Sequence, residues 1–62
     1  MDIYIIECDS CLEKGRRTQF YILGEDNAYA EYESAFESGE NPVLYNTDIA
    51  PTGLIMRGEK IK

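Results

Sequence analysis

The stretch DNAYAEYESAFESG, residues 26–39, decides how this chain of 62 residues is organised. Asp26 and Asn27 are residue types favoured at a helix N-cap, and Gly39 is the type favoured just past a helix end. The stretch between these signals contains no proline or glycine. The sequence therefore predicts a helix over residues 28–38.

This helix has two different sides when its residues are spaced at about 100° each. One side is an arc of roughly 120° that we predict to face the core. Its members are Ala28, Tyr29, Tyr32, Ala35 and Phe36. Glu31, Glu33 and Glu37 then point into solvent. Since Glu33 and Glu37 are four residues apart, their repulsion costs about 0.2–0.5 kcal/mol.

Strand signals lie on both sides of the helix. Residues 3–7 and 18–23 are rich in β-branched and aromatic residues and predict an antiparallel hairpin. After the helix, the sequence predicts two short strands at residues 43–45 and 54–56, separated by a loop over 46–53. The chain then continues either into a last extension over residues 59–62 or as the end of one bulged strand. The order ββαββ predicts one small α+β domain over residues 1–62, an antiparallel sheet with one helix packed on one face.

One helix covers only one face of such a sheet. Alternation places Ile3 and Ile5 on one side of the first strand, and Tyr4 and Ile6 on the other. The second strand is apolar on both sides in the same way, so an uncovered face predicts an association site, unless sheet curvature or the C-terminal segment covers it. We expect Tyr32 in the core and Tyr4 or Tyr21 exposed for partner binding.

Charge is unevenly distributed along the chain. The net charge is −6, and no basic residue occurs between Arg17 and Arg57. Because nucleic-acid binding needs a positive surface, the composition argues against a nucleic-acid ligand. No apolar run is long enough for a membrane span and no signal peptide is evident, which predicts a cytoplasmic protein.

The segment Cys8-Asp9-Ser10-Cys11 is the one motif with a metal-binding spacing. It resembles one knuckle of a zinc ribbon, over residues 8–15, and the resemblance implies zinc held by Cys8 and Cys11. A structural zinc needs four ligands, and the chain has no histidine and no second cysteine pair. Zinc completed by nearby acids or by a second chain, a disulfide or redox pair, and two ordinary thiols all remain open. No other cofactor is predicted.

Catalytic machinery is missing from the residue inventory. Without histidine, a serine or cysteine nucleophile lacks its usual base, and no phosphate-binding or dinucleotide loop is present. We therefore predict a binding protein and no enzyme activity.

The predicted partner is a protein with a basic surface, which the acidic helix and its adjoining loops would engage. The predicted partner-binding residues are Glu31, Glu33, Glu37, Glu40, Tyr4 and Tyr21. If that surface normally takes DNA or RNA, the protein inhibits by nucleic-acid mimicry. Its size and acidity are similar in general character to those of small inhibitors encoded by phages and mobile elements, without a shared motif. The alternatives are a zinc-stapled or homodimeric structural module, and acidity that serves solubility alone.

Overall fold

The computed structural model describes residues 2–10 and 12–62. Its elements are β1 (Ile3–Asp9), β2 (Arg17–Leu23), α1 (Glu25–Glu37), β3 (Val43–Ile49) and β4 (Ile55–Lys60). These elements confirm the predicted α+β class with one helix and an antiparallel sheet. In the described part of the chain, no helix has both the length and the apolar character that a membrane crossing requires.

The sheet has the strand order β2-β1-β3-β4, and each pair of neighbours is antiparallel. Since β2 and β3 are both antiparallel to β1, they run parallel to each other on its two sides, and α1 makes the crossover between them. Strand β1 is thus central. Its residues Ile5 and Ile6 point to opposite faces and are 1% and 0% exposed.

Helix α1 begins at Glu25, earlier than the predicted start at Ala28. Gly24, at φ 90°, takes the cap position that we predicted for Asp26 or Asn27, and its carbonyl accepts a 3.0 Å hydrogen bond from the Ala28 amide. The Asn27 side chain instead donates to the Leu23 carbonyl at 3.0 Å. Backbone geometry at a glycine therefore sets the start of the helix.

The end of α1 agrees with the prediction from Gly39. Gly39 has a φ of 73°, and its amide donates to the Phe36 carbonyl at 3.1 Å. The Glu40 amide donates to the Ala35 carbonyl at 3.0 Å. This pair of bonds is a Schellman motif, in which glycine adopts the left-handed conformation without steric cost.

The core lies between α1 and one face of the sheet. Its buried residues are Tyr4, Ile6, Cys8, Ala28, Ala35 and Leu44, with Ile22, Tyr29 and Tyr32 packed against them. The predicted core-facing stripe is therefore confirmed except at Phe36, which is 67% exposed. Ala28 and Ala35 are the helix residues that become buried, and Phe36 lies at the flank of the stripe, stacked on Tyr32 with a centroid distance of 6.3 Å.

The predicted loop over residues 46–53 is wrong for its first half. Strand β3 continues to Ile49, because its polar residues find partners: the Thr47 hydroxyl donates to the Ile3 carbonyl at 2.7 Å, and Asn46 Oδ1 accepts from the Glu59 amide at 2.7 Å. Strand β4 is one strand whose register with β3 shifts between Tyr45 and Thr47. The bulged alternative is thus the correct one.

Gly58 faces Asn46 at this bulge, and we predict that Gly58→Ala destabilises the protein. The added Cβ would overlap Asn46 Oδ1 and lie 3.1 Å from the Asn46 carbonyl oxygen. Overpacking of this kind lowers the free energy of unfolding by about 1–3 kcal/mol. Urea denaturation measures the loss, with Lys60→Ala on the same strand as control.

A double-mutant cycle tests the cause. In an Asn46→Ala background, Gly58→Ala should cost less, because the overlapping oxygen is gone. Equal costs in the two backgrounds would show that the Asn46 side chain is not the obstacle.

Candidate partner-binding surface

The solvent side of α1 carries an exposed row of carboxylates. Glu31, Glu33 and Glu37 are exposed as predicted. The first turn adds Glu25 and Asp26, and the last turn contains no basic residue. Five carboxylates, which we call the acidic row, therefore lie along a helix about 20 Å long. Glu33 and Glu37 line the groove beside Lys62, whereas Glu31 lines a groove beside β2, so the row spans two flanks of the helix.

The carboxylates of α1 form none of the ion pairs found among the described residues. Four pairs form among residues 2–10 and 12–62, and their acidic members are Glu7, Asp9 and Glu13. The arginines Arg16, Arg17 and Arg57 supply the positive charges. No carboxylate of α1 takes part in these pairs, so the negative field of the helix is not neutralised by them.

Lys62 borders the acidic row. Its ammonium lies 5.2 Å from the ring centre of Tyr29 and 5.3 Å from that of Tyr32. Together with Glu33, Phe36 and Glu37, the residues Tyr32 and Lys62 line an open groove of about 450 Å³. The Lys62 ammonium thus lies over aromatic rings and beside two carboxylates. This flank of the helix therefore accommodates a cationic side chain.

Glu40 follows the helix and is half-buried. Its carbonyl accepts a 2.7 Å hydrogen bond from the Asp9 amide, which ties the end of α1 to the end of β1. Glu31 and Glu40 line a common groove of about 250 Å³. The structure therefore brings Glu40 next to one member of the acidic row.

The two tyrosines predicted for partner binding have different positions. Tyr21 is 58% exposed and meets the expectation that one of the pair is exposed, whereas Tyr4 is 8% exposed and belongs to the core beneath α1. Alternation along β1 sends Tyr4 to the helix side, and the same alternation sends Ile5 and its neighbour Tyr21 to the other face. Burial, and then the charges of Glu25 and Asp2, raise the pKa of Tyr4. Tyr4 thus supports the core and does not present its ring to a partner.

The sheet face opposite α1 is not covered by the C-terminal segment, because β4 occupies a sheet edge. Large apolar side chains are exposed there: Tyr21 (58%), Leu23 (52%), Ile49 (74%) and Ile55 (37%). We call this surface the open face. At its centre, Ile5 lies between Tyr21 and Tyr45 in the strand register.

An ionic network at one end of the open face was not predicted. Arg17 donates to Glu7 at 3.2 Å, to Asp9 at 2.9 Å and to the Asn41 carbonyl at 2.8 Å. Arg57 donates to Glu7 at 3.2 Å and lies 4.6 Å above the ring centre of Tyr45. The hydrogen bonds from Arg17 and then Asn41 lower the pKa of Asp9. The sequence signal was the i,i+2 spacing of Glu7 and Asp9, which places both on one strand face.

The metal prediction concerns Cys8 and Cys11, and Cys11 lies outside the described residues. Cys8 is 5% exposed, and its Sγ lies 3.7 Å from the Thr18 hydroxyl oxygen. Among residues 2–10 and 12–62, no group of three or more potential ligands is arranged to hold a metal ion. Zinc shared through Cys8 and Cys11 stays a prediction, which elemental analysis of protein purified without chelator tests.

We predict that Asp9→Asn makes the protein less sensitive to acid. A carboxylate whose pKa is lowered in the folded state stabilises the fold above its unfolded pKa, about 3.9, and this contribution is lost as the pH falls below that value. Between about pH 4 and pH 2, the wild type should therefore lose more stability than Asp9→Asn. Urea denaturation across this range measures the difference.

Asp48→Asn is the matched control, since Asp48 is exposed and lies outside the ionic network. It should follow the wild-type pH profile. A parallel loss in wild type and Asp9→Asn would show that the bonds to Arg17 and Asn41 do not stabilise the fold.

Comparisons with protein-family models, with curated proteins and with solved structures found no match to this chain. The candidate surfaces are therefore identified from geometry and charge. The acidic row of α1 and the open face lie on opposite sides of the molecule, with the core and the sheet between them.

Proposed function

We propose that this chain is a small acidic binding protein whose helix α1 engages a basic surface of a partner protein. One observation carries the proposal: the five carboxylates of α1 are exposed and take no part in the ion pairs of the described residues. Unneutralised charge of one sign steers association with an oppositely charged surface and raises the association rate.

The acids in the second half of α1 do not stabilise the helix, whereas Glu25 and Asp26 in the first turn do. Glu33 and Glu37 repel each other at i,i+4, and Glu37 lies in the last helical turn, where the helix dipole favours a positive charge. A cationic partner surface placed against this turn relieves both unfavourable interactions. The part of the site formed by Glu33 and Glu37 is therefore suited to a basic partner and costs stability in its absence.

The helix also presents the carboxylates in a fixed arrangement. Ala28 and Ala35 anchor α1 in the core, and the Schellman motif fixes its end. Because the backbone is already ordered, binding orders only the acidic side chains, at about 0.5–1.5 kcal/mol for each one that becomes immobilised. A partner that meets the flank of Glu33 and Glu37 thus encounters prearranged negative charge.

Inhibition by nucleic-acid mimicry follows if the partner's basic surface is one that binds DNA or RNA. Such surfaces use lysine and arginine to neutralise phosphates along a strand. The carboxylates of α1 offer negative charge to the same side chains, and a bound copy of this protein would exclude the nucleic acid. The protein acts in this proposal by occupying a surface, without catalysis.

A second candidate function, a homodimeric interaction module, is favoured by the apolar side chains exposed on the open face. Tyr21, Leu23, Ile49 and Ile55 form an apolar surface of the kind that marks association sites. Analytical ultracentrifugation of the purified protein tests this candidate.

We predict that replacing Glu31, Glu33 and Glu37 together with glutamine weakens partner binding without unfolding the domain. A partner captured from a host lysate on immobilised protein, and then purified, supplies the assay. The wild-type affinity should fall as salt rises, chiefly through a slower association rate, and the triple variant should lose much of this dependence. Loss of repulsion between Glu33 and Glu37 should leave its stability equal or slightly higher.

A charge-matched control separates position from net charge. Asp2→Asn, Asp48→Asn and Glu59→Gln together also remove three negative charges, at exposed positions outside α1. This control should bind the partner nearly as tightly as the wild type. If the two triple variants behave alike, net charge alone is responsible; if neither changes the affinity, the acids serve solubility and the binding site lies elsewhere.

A further inference from the structure

The two edges of the sheet are protected to different degrees. Strand β4 carries Arg57, Glu59 and Lys60 and is interrupted by the bulge at Gly58, and such features discourage pairing with another strand. Strand β2, the other edge, carries Arg17 as its one charged residue and contains no proline or glycine. Six of its seven residues are exposed. An edge of this kind is a template for a further strand.

The backbone groups that point away from the sheet can be assigned from the ladder between β1 and β2. The Gly24 amide donates to the Asp2 carbonyl at 2.9 Å, and the Ser10 amide donates to the Arg16 carbonyl at 2.8 Å. Antiparallel ladders alternate, so the even-numbered residues of β2 bond to β1. The amides and carbonyls of Arg17, Gln19, Tyr21 and Leu23 therefore face the open edge, where the Leu23 carbonyl already accepts a 3.0 Å hydrogen bond from the Asn27 side chain.

This set of groups matches a second copy of itself. Phe20 is the midpoint of Arg17–Leu23, so antiparallel pairing about Phe20 overlaps the two strands over their whole length. Arg17 then lies opposite Leu23 of the second copy, and Gln19 lies opposite its Tyr21. All of these residues present their backbone groups outward, and the register forms about six backbone hydrogen bonds besides the two to the Leu23 carbonyls, which Asn27 already engages.

The charges near the two ends of β2 also favour a second copy of this chain as the partner. Lys14, Arg16 and Arg17 lie at its start, where Arg16 binds Glu13 and Arg17 binds Glu7 and Asp9, and Glu25 and Asp26 follow its end. Antiparallel pairing places the basic end of each copy beside the acidic end of the other, twice by symmetry. Lys14, which takes part in none of the four ion pairs of the described residues, is the basic side chain left to meet Glu25 and Asp26 of the other copy, although each copy has a net charge of −6.

We propose that the edge of β2 is a dimer interface, at which β2 pairs antiparallel with β2 of a second copy about Phe20 to form a continuous eight-stranded sheet. Phe20, 41% exposed, meets Phe20 of the second copy on the helix side. The interface goes beyond the binding role of α1 and does not depend on it.

The dimer places both helices on one side of the joined sheet, because opposed residues of antiparallel strands share a face. Strands lie about 4.8 Å apart, so the two β1 strands are roughly 14 Å apart across the seam. Helix α1 packs mainly on β1, and this separation exceeds the 8–10 Å of packed helices. The two helices therefore do not obstruct the pairing.

A charge exchange between the ends of β2 tests the dimer. One variant carries Lys14→Glu and Arg16→Glu, and the other carries Glu25→Lys and Asp26→Lys. Each alone brings like charges together and should dimerise at least about tenfold more weakly than the wild type, whereas an equal mixture should recover dimerisation as a heterodimer. Analytical ultracentrifugation near 0.15 M salt, where the Debye length is about 8 Å, measures the three equilibria. Circular dichroism confirms folding of each variant.

Amide hydrogen exchange of the wild type gives a second readout that needs no variant. The amides of Gln19, Tyr21 and Leu23 should become protected as concentration rises, while those of Phe20 and Ile22 are protected throughout. Gln19→Pro, which removes an outward amide only, should abolish the dimer and keep the fold. A wild type that stays monomeric, a mixture no tighter than its components, or a dimer without protection of the outward amides would each overturn the proposal. Dimerisation lost in Ile49→Lys with unchanged exchange in β2 would assign association to the open face and overturn it as well.

Discussion

The pairing of β1 on both of its edges is the constraint on which the rest of the structure depends. β1 is hydrogen-bonded to β2 on one side and to β3 on the other. Ile5 and Ile6 fill its two faces and are almost inaccessible to solvent. The helix, the core and the C-terminal hairpin are all positioned relative to this strand. A domain of this size has little stability to spare, at about 0.05–0.15 kcal/mol per residue, so loss of one side of the β1 pairing affects the whole molecule.

The pairing of β1 with strands on both of its edges also separates charge between the two sides of the molecule. Glu7 and Asp9 of β1 bind Arg17 and Arg57 from the strands at the two edges of the sheet. These arginines are therefore engaged on the open face, away from α1. The carboxylates of α1 lie on the other side with Lys62 at their border. The excess of acidic residues in the composition thus becomes a directional field, which composition alone does not show.

The sequence was sufficient for the order of elements, the helix end at Gly39 and the exposure of Glu31, Glu33 and Glu37, because these depend on local patterns. Two expectations failed where a tertiary contact decides. Residues 46–49 look like a loop because they are mostly polar, yet Asn46 and Thr47 gain hydrogen bonds from neighbouring strands. Tyr4 is buried because α1 packs on its side of β1. Alternation defined the two faces, but it did not indicate which face the helix would cover.

The crossover through α1 has a consequence for how the chain acquires its structure. Hairpins form in about 1–10 µs, and β1 with β2 makes one such local unit. The second strand partner of β1, β3, is distant in sequence, since Tyr4 pairs with Asn46. During synthesis from the N-terminus, the first hairpin leaves the ribosome with one side of β1 unpaired and with Ile5 and Ile6 uncovered. The sheet closes only when β3 arrives, and until then the nascent chain exposes an unpaired edge of an apolar strand, which favours aggregation.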